Sequence, residues 1–212
     1  VAFALMAVPG LVAEGSQRMR LRELIRKPFF RVALLAIFLG GAAEVGLAQW
    51  LPAYAETTRG FSPWVAGMAL LFFSLAMALG RIAVGAMEDR VNPYHVLMLC
   101  SGGSPVLFLL CSFAPWPAVA LGACIAVGFT GSCLWPSTMG VAADYYPRGG
   151  ASMFGFLAAF GNGGCMFMPW LVGVISDRSD LRWGLATATL CPLLMLVLLL
   201  WMIRQPREPN AG

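Results

Sequence analysis

The chain has 212 residues, of which 59% are hydrophobic and 11% are charged, whereas soluble domains are about 45–50% apolar and about 25% charged. The mean hydropathy of +0.78 and a net charge of +4 spread between apolar runs exclude a disordered chain, a coiled coil and a nucleic-acid-binding domain. A membrane protein remains, and because each span needs about 20 apolar residues, the length accommodates six or seven spans.

The first 29 residues change from apolar to basic. Residues 1–9 have the composition of the last turns of a membrane helix that begins before residue 1. A secretory signal is disfavoured because the basic stretch follows the apolar one instead of preceding it. Residues 10–29 are predicted to be a cytoplasmic linker, which carries Arg18, Arg20, Arg22, Arg26 and Lys27.

Runs without Asp, Glu, Lys or Arg place the remaining helices. The longest run, 91–143, is too long for one helix and is predicted to turn at Ala114-Pro115-Trp116-Pro117, where two prolines flank an interfacial tryptophan. Residues 30–203 are predicted to form a six-helix domain, and 204–212 a short polar cytoplasmic tail. The six predicted spans are 30–54, 62–87, 94–113, 117–143, 150–175 and 183–203.

The basic side chains predict the orientation of these spans. With the linker in the cytoplasm, eleven of the 14 Lys and Arg residues, Arg81 among them, lie on or near that side, and Arg59, Arg178 and Arg182 lie outside. Because cytoplasmic loops are enriched in Lys and Arg, we expect the linker and the C-terminus to be cytoplasmic. The expected location is a bacterial inner membrane.

Two loops share the pattern V-G-x-x-x-D-R, at residues 84–90 and 172–178, which are 88 positions apart. Each follows a similar loop one span earlier, at residues 59–62 and 148–152. We therefore predict two three-helix repeats, inverted because each has an odd number of helices, as secondary transporters often have. The alternative is a chance likeness of two short loops.

Together these features resemble the C-terminal half, helices seven to twelve, of a major facilitator superfamily transporter. Residues 80–90 are similar to the second copy of its G-x-x-x-D-R loop motif, although Val91-Asn92-Pro93 stands where basic residues often follow. Residues 41–52 are similar to the seventh helix of the fucose-permease-like sugar/proton symporters. Residues 135–136 with 144–147, and residues 161–169, also resemble superfamily patterns.

The resemblance implies alternating-access transport of a small polar solute, a sugar or an organic acid, by this chain together with an N-terminal six-helix half. Coupling carboxylates in this family commonly lie in that other half. The alternatives are a non-transporting membrane binding or assembly module and a truncated remnant. The chain is not expected to be an enzyme, because it has one histidine, His95, and no Walker lysine motif or H-E-x-x-H.

Glu44 is the strongest candidate site residue. It lies 12 to 15 positions into its predicted span, so at about 1.5 Å per residue it is near the bilayer midplane. A carboxylate there costs about 3 kcal/mol on insertion scales. It should therefore face a wet cavity or a polar partner, either to bind solute or a proton or simply to pair with a neighbouring helix.

Five other polar or aromatic residues fall inside the predicted spans. Asn162, between glycines, is predicted to contact a solute hydroxyl or to make an interhelical hydrogen bond. Gln49 and Trp50 follow Glu44 on its helix, and Trp50 either stacks on a sugar or joins an interfacial aromatic belt. Trp135, next to Pro136, either lines the path or packs, and Ser74 is seven residues before Arg81, on the same helical face.

The charged loop motifs are candidates for gating. We predict that ion pairs among them break and reform as the transporter opens, the alternative being solvated charges that set topology. These candidates are Gly85, Asp89, Arg90, Asp144, Arg148, Asp177 and Arg178.

No cofactor or metal site is expected. The six cysteines lie inside apolar runs without C-x-x-C spacing, so they are interpreted as small buried hydrophobic residues. The expected partners are the lipid bilayer, the solute and the N-terminal half, with no nucleic acid.

Overall fold

The computed structural model describes residues 19–87 and 90–205, which are helical except for short turns and contain no β-strand. Within these residues six helical spans are long and apolar enough to cross a bilayer, which confirms the predicted all-α membrane fold with six transmembrane helices. They are span 1 (Pro28–Thr58), span 2 (Pro63–Met87), span 3 (Pro93–Phe113), span 4 (Pro117–Tyr145), span 5 (Gly150–Ser176) and span 6 (Leu181–Met202). The inverted repeat stays a prediction.

The spans begin where the sequence supplies helix-starting residues. Four of them have proline at the first position, where its missing N–H is not needed; these are Pro28, Pro63, Pro93 and Pro117. Asn92 caps span 3 by accepting from the Tyr94 backbone N–H at 2.9 Å. Asp180 caps span 6 by accepting from the Arg182 N–H at 2.8 Å.

Spans 1, 4 and 6 differ from simple rods. Span 1 is helix α2 (Pro28–Ala53) followed by a π-helical turn (Tyr54–Thr58), and so extends beyond the predicted 30–54. Span 4 consists of α5 (Pro117–Gly131) and α6 (Leu134–Tyr145), and span 6 of α8 (Leu181–Thr187) and α9 (Leu190–Met202). The unbroken helices are α3 (Pro63–Met87), α4 (Pro93–Phe113) and α7 (Gly150–Ser176), and a short α1 (Leu21–Arg26) precedes them all.

Both breaks lie four residues before a proline. Pro136 and Pro192 have no N–H to donate to the carbonyl of Ser132 and Ala188 respectively, so the helical ladder is interrupted there. The nearby Ser137 N–H bonds the Cys133 carbonyl at 3.0 Å. Proline alone is not sufficient, because other prolines lie inside continuous helices, namely Pro52, Pro105 and Pro169.

Span 1 forms the centre of the bundle. Its most apolar segment is 67% buried, whereas those of spans 2 and 5 are 22% buried, and it packs against spans 2, 4, 5 and 6. Spans 1 and 5 approach closely at their glycines. A Cβ added to Gly164 would clash with the Phe38 carbonyl, and one added to Gly41 would clash with the Gly161 carbonyl. Small residues at such a contact let two backbones approach within van der Waals distance.

The outer surface of the bundle is apolar. Large side chains stand out from it, among them Leu99 and Met166, both 77% exposed, and Trp64, 74% exposed. A water-soluble chain rarely exposes so many large apolar groups over one surface, whereas lipid solvates them. The chain is an integral membrane protein.

The predicted linker is described in part. Helix α1 lies in it with Leu24 buried, and the Met19 N–H bonds the Arg148 carbonyl at 3.1 Å, so this part of the linker docks beside spans 4 and 5. The predicted helix end at 1–9, residues 10–18 of the linker, Asp89 and residues 206–212 of the tail lie outside the described residues. The boundaries 10–29, 30–203 and 204–212 stay predictions.

Candidate functional site

The carboxylate of Glu44 is paired with a cation from the next span. Glu44 is 7% exposed, and its Oε1 accepts a hydrogen bond from Nη2 of Arg81 on span 2. Its Oε2 is buried and has no hydrogen-bond partner among the described residues. The structure thus supplies the polar partner that a carboxylate near the bilayer midplane requires.

Arg81 is positioned by the glycine that precedes it. A Cβ on Gly80 would meet the Ser132 hydroxyl and, at 2.7 Å, the Phe129 carbonyl, so span 2 presses directly on span 4 at this level. The next residue, Arg81, therefore lies between the break in span 4 and Glu44. Its side chain is still 48% exposed, which leaves guanidinium donors for another group.

Arg81 is predicted from the sequence as a marker of topology and is absent from the predicted site residues. A signal was present, because Arg81 lies six residues before the end of span 2 and so within the apolar segment. A charged residue at that depth normally faces the interior of a bundle and pairs. The matching cation for Glu44 was therefore visible in the sequence.

A cavity of about 290 Å³ opens between spans 2, 3 and 4, at the end of the bundle predicted to be cytoplasmic. Arg81 and Asp144 are the charged residues in its wall, and Gly85 also lines it. The remaining lining residues are Val84, Met87, Val91, Pro93, Val96, Ser132, Cys133, Pro136, Ser137 and Gly140. Arg81 thus contacts both this cavity and the buried Glu44.

The break in span 4 forms one wall of the cavity. Ser132 and Cys133, where α5 ends and α6 begins, line it together with Pro136 and Ser137. The Ser132 carbonyl has lost its helical donor because Pro136 has no N–H. Discontinuous helices whose unpaired backbone groups face a cavity are typical of the solute sites of secondary transporters.

Three other predicted site residues lie on exposed faces. Asn162, in the middle of span 5, and Gln49 on span 1 are both exposed. Ser74 on span 2 is exposed, and its hydroxyl donates to the Leu70 carbonyl at 2.9 Å. None of the three lines the cavity, so the structure does not bring them together with Arg81 at this place.

The two predicted tryptophans contact span 5. The Trp50 indole Nε1 donates to the Pro169 carbonyl at 2.9 Å, and a Cβ on Gly173 would lie 3.1 Å from its ring. The half-buried Trp135 ring fills the space beside Gly161, where a Cβ would meet it at 2.9 Å. Both rings therefore pack between helices, and the glycines around Asn162 allow that packing.

The loop candidates lie at the two ends of the bundle. Arg90 and Arg148 are exposed at the end that holds the cavity, and Asp177 and Arg178 are exposed at the other end. Asp89, central to the predicted loop motif, lies outside the described residues. Their gating roles stay predictions.

Arg59 joins span 1 to span 3 at the end opposite the cavity. Its guanidinium donates to the carbonyls of Cys111, Ser112 and Ala114 at 2.8–3.0 Å, and its Nε donates to the Tyr54 hydroxyl at 2.5 Å. The Tyr54 hydroxyl in turn donates to the Cys111 carbonyl. One side chain after the π-helical turn of span 1 thus caps the C-terminus of span 3, where cations are favourable.

The sequence predicted that all six cysteines are small buried hydrophobic residues, and the structure contradicts this for two of them. Cys111 and Cys124 form a disulfide between spans 3 and 4, with Cα atoms 5.4 Å apart. The other four cysteines are free. The interpretation was wrong for this pair because the turn at 114–116 brings their helices together, and C-x-x-C spacing does not report such a contact. Among the described residues, no group of three or more His, Cys, Asp or Glu side chains is placed to hold a metal ion.

Six apolar spans around a partly buried ion pair, with a cavity beside a broken helix, define an integral membrane protein. The Major Facilitator Superfamily profile matches residues 4–104 and 64–212. The chain belongs to the major facilitator superfamily, a family of transporters and not of enzymes.

Individual relatives cover most of this chain. It is 32% identical to the probable nitrate/nitrite transporter NarK2 of Mycobacterium tuberculosis over 154 residues, which is 69% of this chain and 37% of that protein. It is 26% identical to the multidrug efflux pump LfrA of Mycolicibacterium smegmatis over 85% of this chain and 36% of that protein.

A solved structure shares the fold. The Escherichia coli fucose:proton symporter FucP matches with a TM-score of 0.78 and 21% identity, over 87% of this chain and 45% of that chain. The chain spans less than half the length of each of these three proteins.

Proposed function

We propose that the protein carries out secondary active transport of a small polar solute by alternating access, with this chain as the C-terminal half of a twelve-helix transporter. The observation that carries the proposal is the ion pair between Glu44 and Arg81, buried on one side and open to a cavity on the other. The family membership supports the same conclusion.

The ion pair supports transport because it is a costly way to hold two helices together. Each charge costs about 3 kcal/mol at the helix centre on insertion scales, and apolar residues of similar size commonly stabilise a core as well or better. An ion pair that a solute or a proton can break has a function in transport, and that function explains why the cost is tolerated. In our proposal Glu44 carries a proton or binds solute in one state of the transport cycle. In the other state the Glu44 carboxylate is ionised and pairs with Arg81.

The partner in this proposal is an N-terminal six-helix half. Spans 2 and 5 are the least buried, yet they carry Ser74, Arg81 and Asn162 on exposed positions. Hydrocarbon cannot satisfy such groups, so polar side chains in spans normally face protein or water. We propose that these faces line the solute path between the two halves.

Two solute classes are compatible with the site. A sugar or an organic acid suits the uncharged donors and acceptors of Asn162, Gln49 and Ser74. A small inorganic anion is the second candidate, favoured by the half-exposed guanidinium of Arg81 in the cavity wall. Glu44 engages Nη2 of that guanidinium, which leaves further N–H donors for an anion. The likeness to a probable nitrate/nitrite transporter points the same way.

The test is uptake by the protein with all twelve spans, reconstituted in proteoliposomes. Labelled sugars, organic acids, nitrate and nitrite are supplied with and without a pH gradient. We expect Glu44→Gln to abolish uptake or to uncouple it from the gradient while membrane insertion is kept. Glu56→Gln, an exposed carboxylate at the other end of span 1, is the matched control. Wild-type uptake by Glu44→Gln with an unchanged pH profile would overturn the proposal.

Two alternatives remain, a non-transporting membrane module and a truncated remnant. Both are contradicted if six further spans are encoded in frame before Val1. The proposal also places the protein in a bacterial inner membrane, with the linker and the C-terminus cytoplasmic. Reporter fusions at Gln205 and at Arg59 test this orientation, because only the first is expected to report a cytoplasmic position.

A further inference from the structure

A short basic helix lies at the end of the bundle that holds the cavity. Helix α1 (Leu21–Arg26) precedes span 1, and residues 20–31 contain five basic residues and one acidic residue. Arg22, Arg26 and Arg31 are exposed. Because residues four apart share one face of a helix, Arg22 and Arg26 lie on the same face of α1. This segment therefore concentrates positive charge on one surface of the protein.

Apolar and backbone contacts fix this segment to the bundle. Leu24 of α1 is buried, and the Phe29 ring, just after the helix, stacks on the Tyr145 ring of span 4 with their centroids 3.6 Å apart. The Met19 N–H, just before the helix, bonds the Arg148 carbonyl at 3.1 Å. The basic side chains of α1 are therefore held in place against the bundle and are not spread along a free linker.

The protein's own carboxylates leave these arginines available. Glu23 is the acidic residue of the segment, and its Oε2 accepts a hydrogen bond from the Arg20 backbone N–H at 3.3 Å. In the part of the chain that the structure describes, Arg22, Arg26 and Arg31 form no ion pair. Their guanidinium donors can therefore bind an anion from outside the chain.

The arginines border exposed apolar side chains. Leu35 is 53% exposed and lies four residues after Arg31, so both are on the same face of span 1. Ile25, beside Arg26 on α1, is 38% exposed. Cationic groups next to exposed apolar groups are typical of segments that lie at the boundary between lipid headgroups and acyl chains.

We propose that Arg22, Arg26 and Arg31, named here the basic patch, bind the headgroup phosphates of anionic phospholipids such as phosphatidylglycerol. Guanidinium groups form paired, charge-assisted hydrogen bonds with phosphates, and clusters of four to eight basic residues beside a membrane helix attract anionic lipids. The acyl chains of such a lipid lie against Ile25 and Leu35. This binding depends on the surface of the bundle and does not rest on the proposed transport.

The experiment compares the binding of phosphatidylglycerol and phosphatidylcholine to the full protein in neutral detergent, by native mass spectrometry. We expect the wild type to prefer phosphatidylglycerol. The double substitution Arg22→Gln/Arg26→Gln should weaken binding of this lipid by about fivefold for each charge lost, with phosphatidylcholine unaffected. Arg22→Lys/Arg26→Lys keeps the charges and should keep most of the preference. Arg182→Gln, at an exposed position of the opposite end, is the matched control and should bind as the wild type does.

Two further measurements separate lipid binding from other uses of the charge. Glycerol phosphate has the phosphate without acyl chains and should not displace the lipid, whereas displacement at equal concentration would reveal a plain phosphate site and overturn the proposal. The preference of the wild type should fall as salt rises, because salt screens exposed charges. This salt dependence decides the matter if the glutamine variant does not fold, as judged by its apparent Tm without lipid. Equal wild-type affinity for the two lipids, a preference that salt leaves unchanged, or a folded glutamine variant with wild-type preference would each overturn the proposal.

Discussion

The indole nitrogen of Trp50 donates a hydrogen bond to the carbonyl oxygen of Pro169, 2.9 Å away, and so joins span 1 to span 5. The sequence left two interpretations of Trp50, a ring that stacks on a sugar and a member of an interfacial belt. The bond gives its polar edge a protein partner, and the ring packs beside Gly173. Trp50 therefore joins the two helices that carry Glu44 and Asn162.

Replacing Trp50 by phenylalanine should lower the stability of the bundle. Trp50→Phe removes the N–H donor and leaves the Pro169 carbonyl without it, at a cost of about 1 kcal/mol. The apparent Tm in detergent, measured by circular dichroism, should fall. Trp116→Phe is the control because Trp116 is 69% exposed and should leave the Tm unchanged. An equal effect of both substitutions would show that the hydrogen bond contributes nothing.

The ion pair between Glu44 and Arg81 should show coupling in a double-mutant cycle. Arg81→Gln leaves the buried Glu44 without its cation, which should cost about 1–3 kcal/mol. Adding Glu44→Gln removes the unpaired charge and should recover part of the loss. The apparent Tm of the two single variants and the double variant measures this coupling, and strictly additive shifts would mean that the two side chains do not interact.

The close contact between spans 1 and 5 should not tolerate an added methyl group at Gly164. A Cβ there would meet the Phe38 carbonyl and would lie 3.0 Å from the Ala42 nitrogen, so Gly164→Ala should cost about 1–3 kcal/mol. Gly155→Ala on the same helix is the matched control, because nothing lies within 4 Å of its Cβ. Alanine is the better helix former by about 1 kcal/mol, so Gly155→Ala should leave the Tm equal or higher. A Tm for Gly164→Ala at or above wild type would contradict this packing.

Arg59 should contribute more stability than a surface arginine at the same end of the bundle. Arg59→Gln removes donors from the carbonyls of Cys111, Ser112 and Ala114, which should cost about 1.5–3 kcal/mol because hydrogen bonds to charged groups are strong. Arg182→Gln, at an exposed position of the same end, is expected to change the Tm little. The comparison fails if the two variants unfold at the same temperature.

The six spans were predictable because the bilayer imposes a length and a composition on each of them. Their ends were displaced by a few residues, and the π-helical turn and the two helix breaks add detail that hydropathy does not contain. The missing N–H of Pro136 accounts for the break at Ser132. The corresponding break before Pro192 was not foreseen, although the same missing N–H accounts for it.

The sequence predicted one residue of the candidate site, Glu44, but not the residue that pairs with it. Glu44 was identified because a lone carboxylate in an apolar run has few explanations. Arg81 was assigned to topology because a cation near a helix end has an ordinary explanation. The disulfide between Cys111 and Cys124 joins residues whose spacing carries no signal.

The sequence by itself determined the class of this protein, the number of its spans and the one midplane carboxylate, since each follows from the cost of placing polar groups in hydrocarbon. The tertiary structure decided which groups meet. It paired Glu44 with Arg81, turned Trp50 toward Pro169, and brought Cys133 to the cavity. These contacts depend on how the helices rotate and how closely glycines let them approach, and a hydropathy pattern records neither.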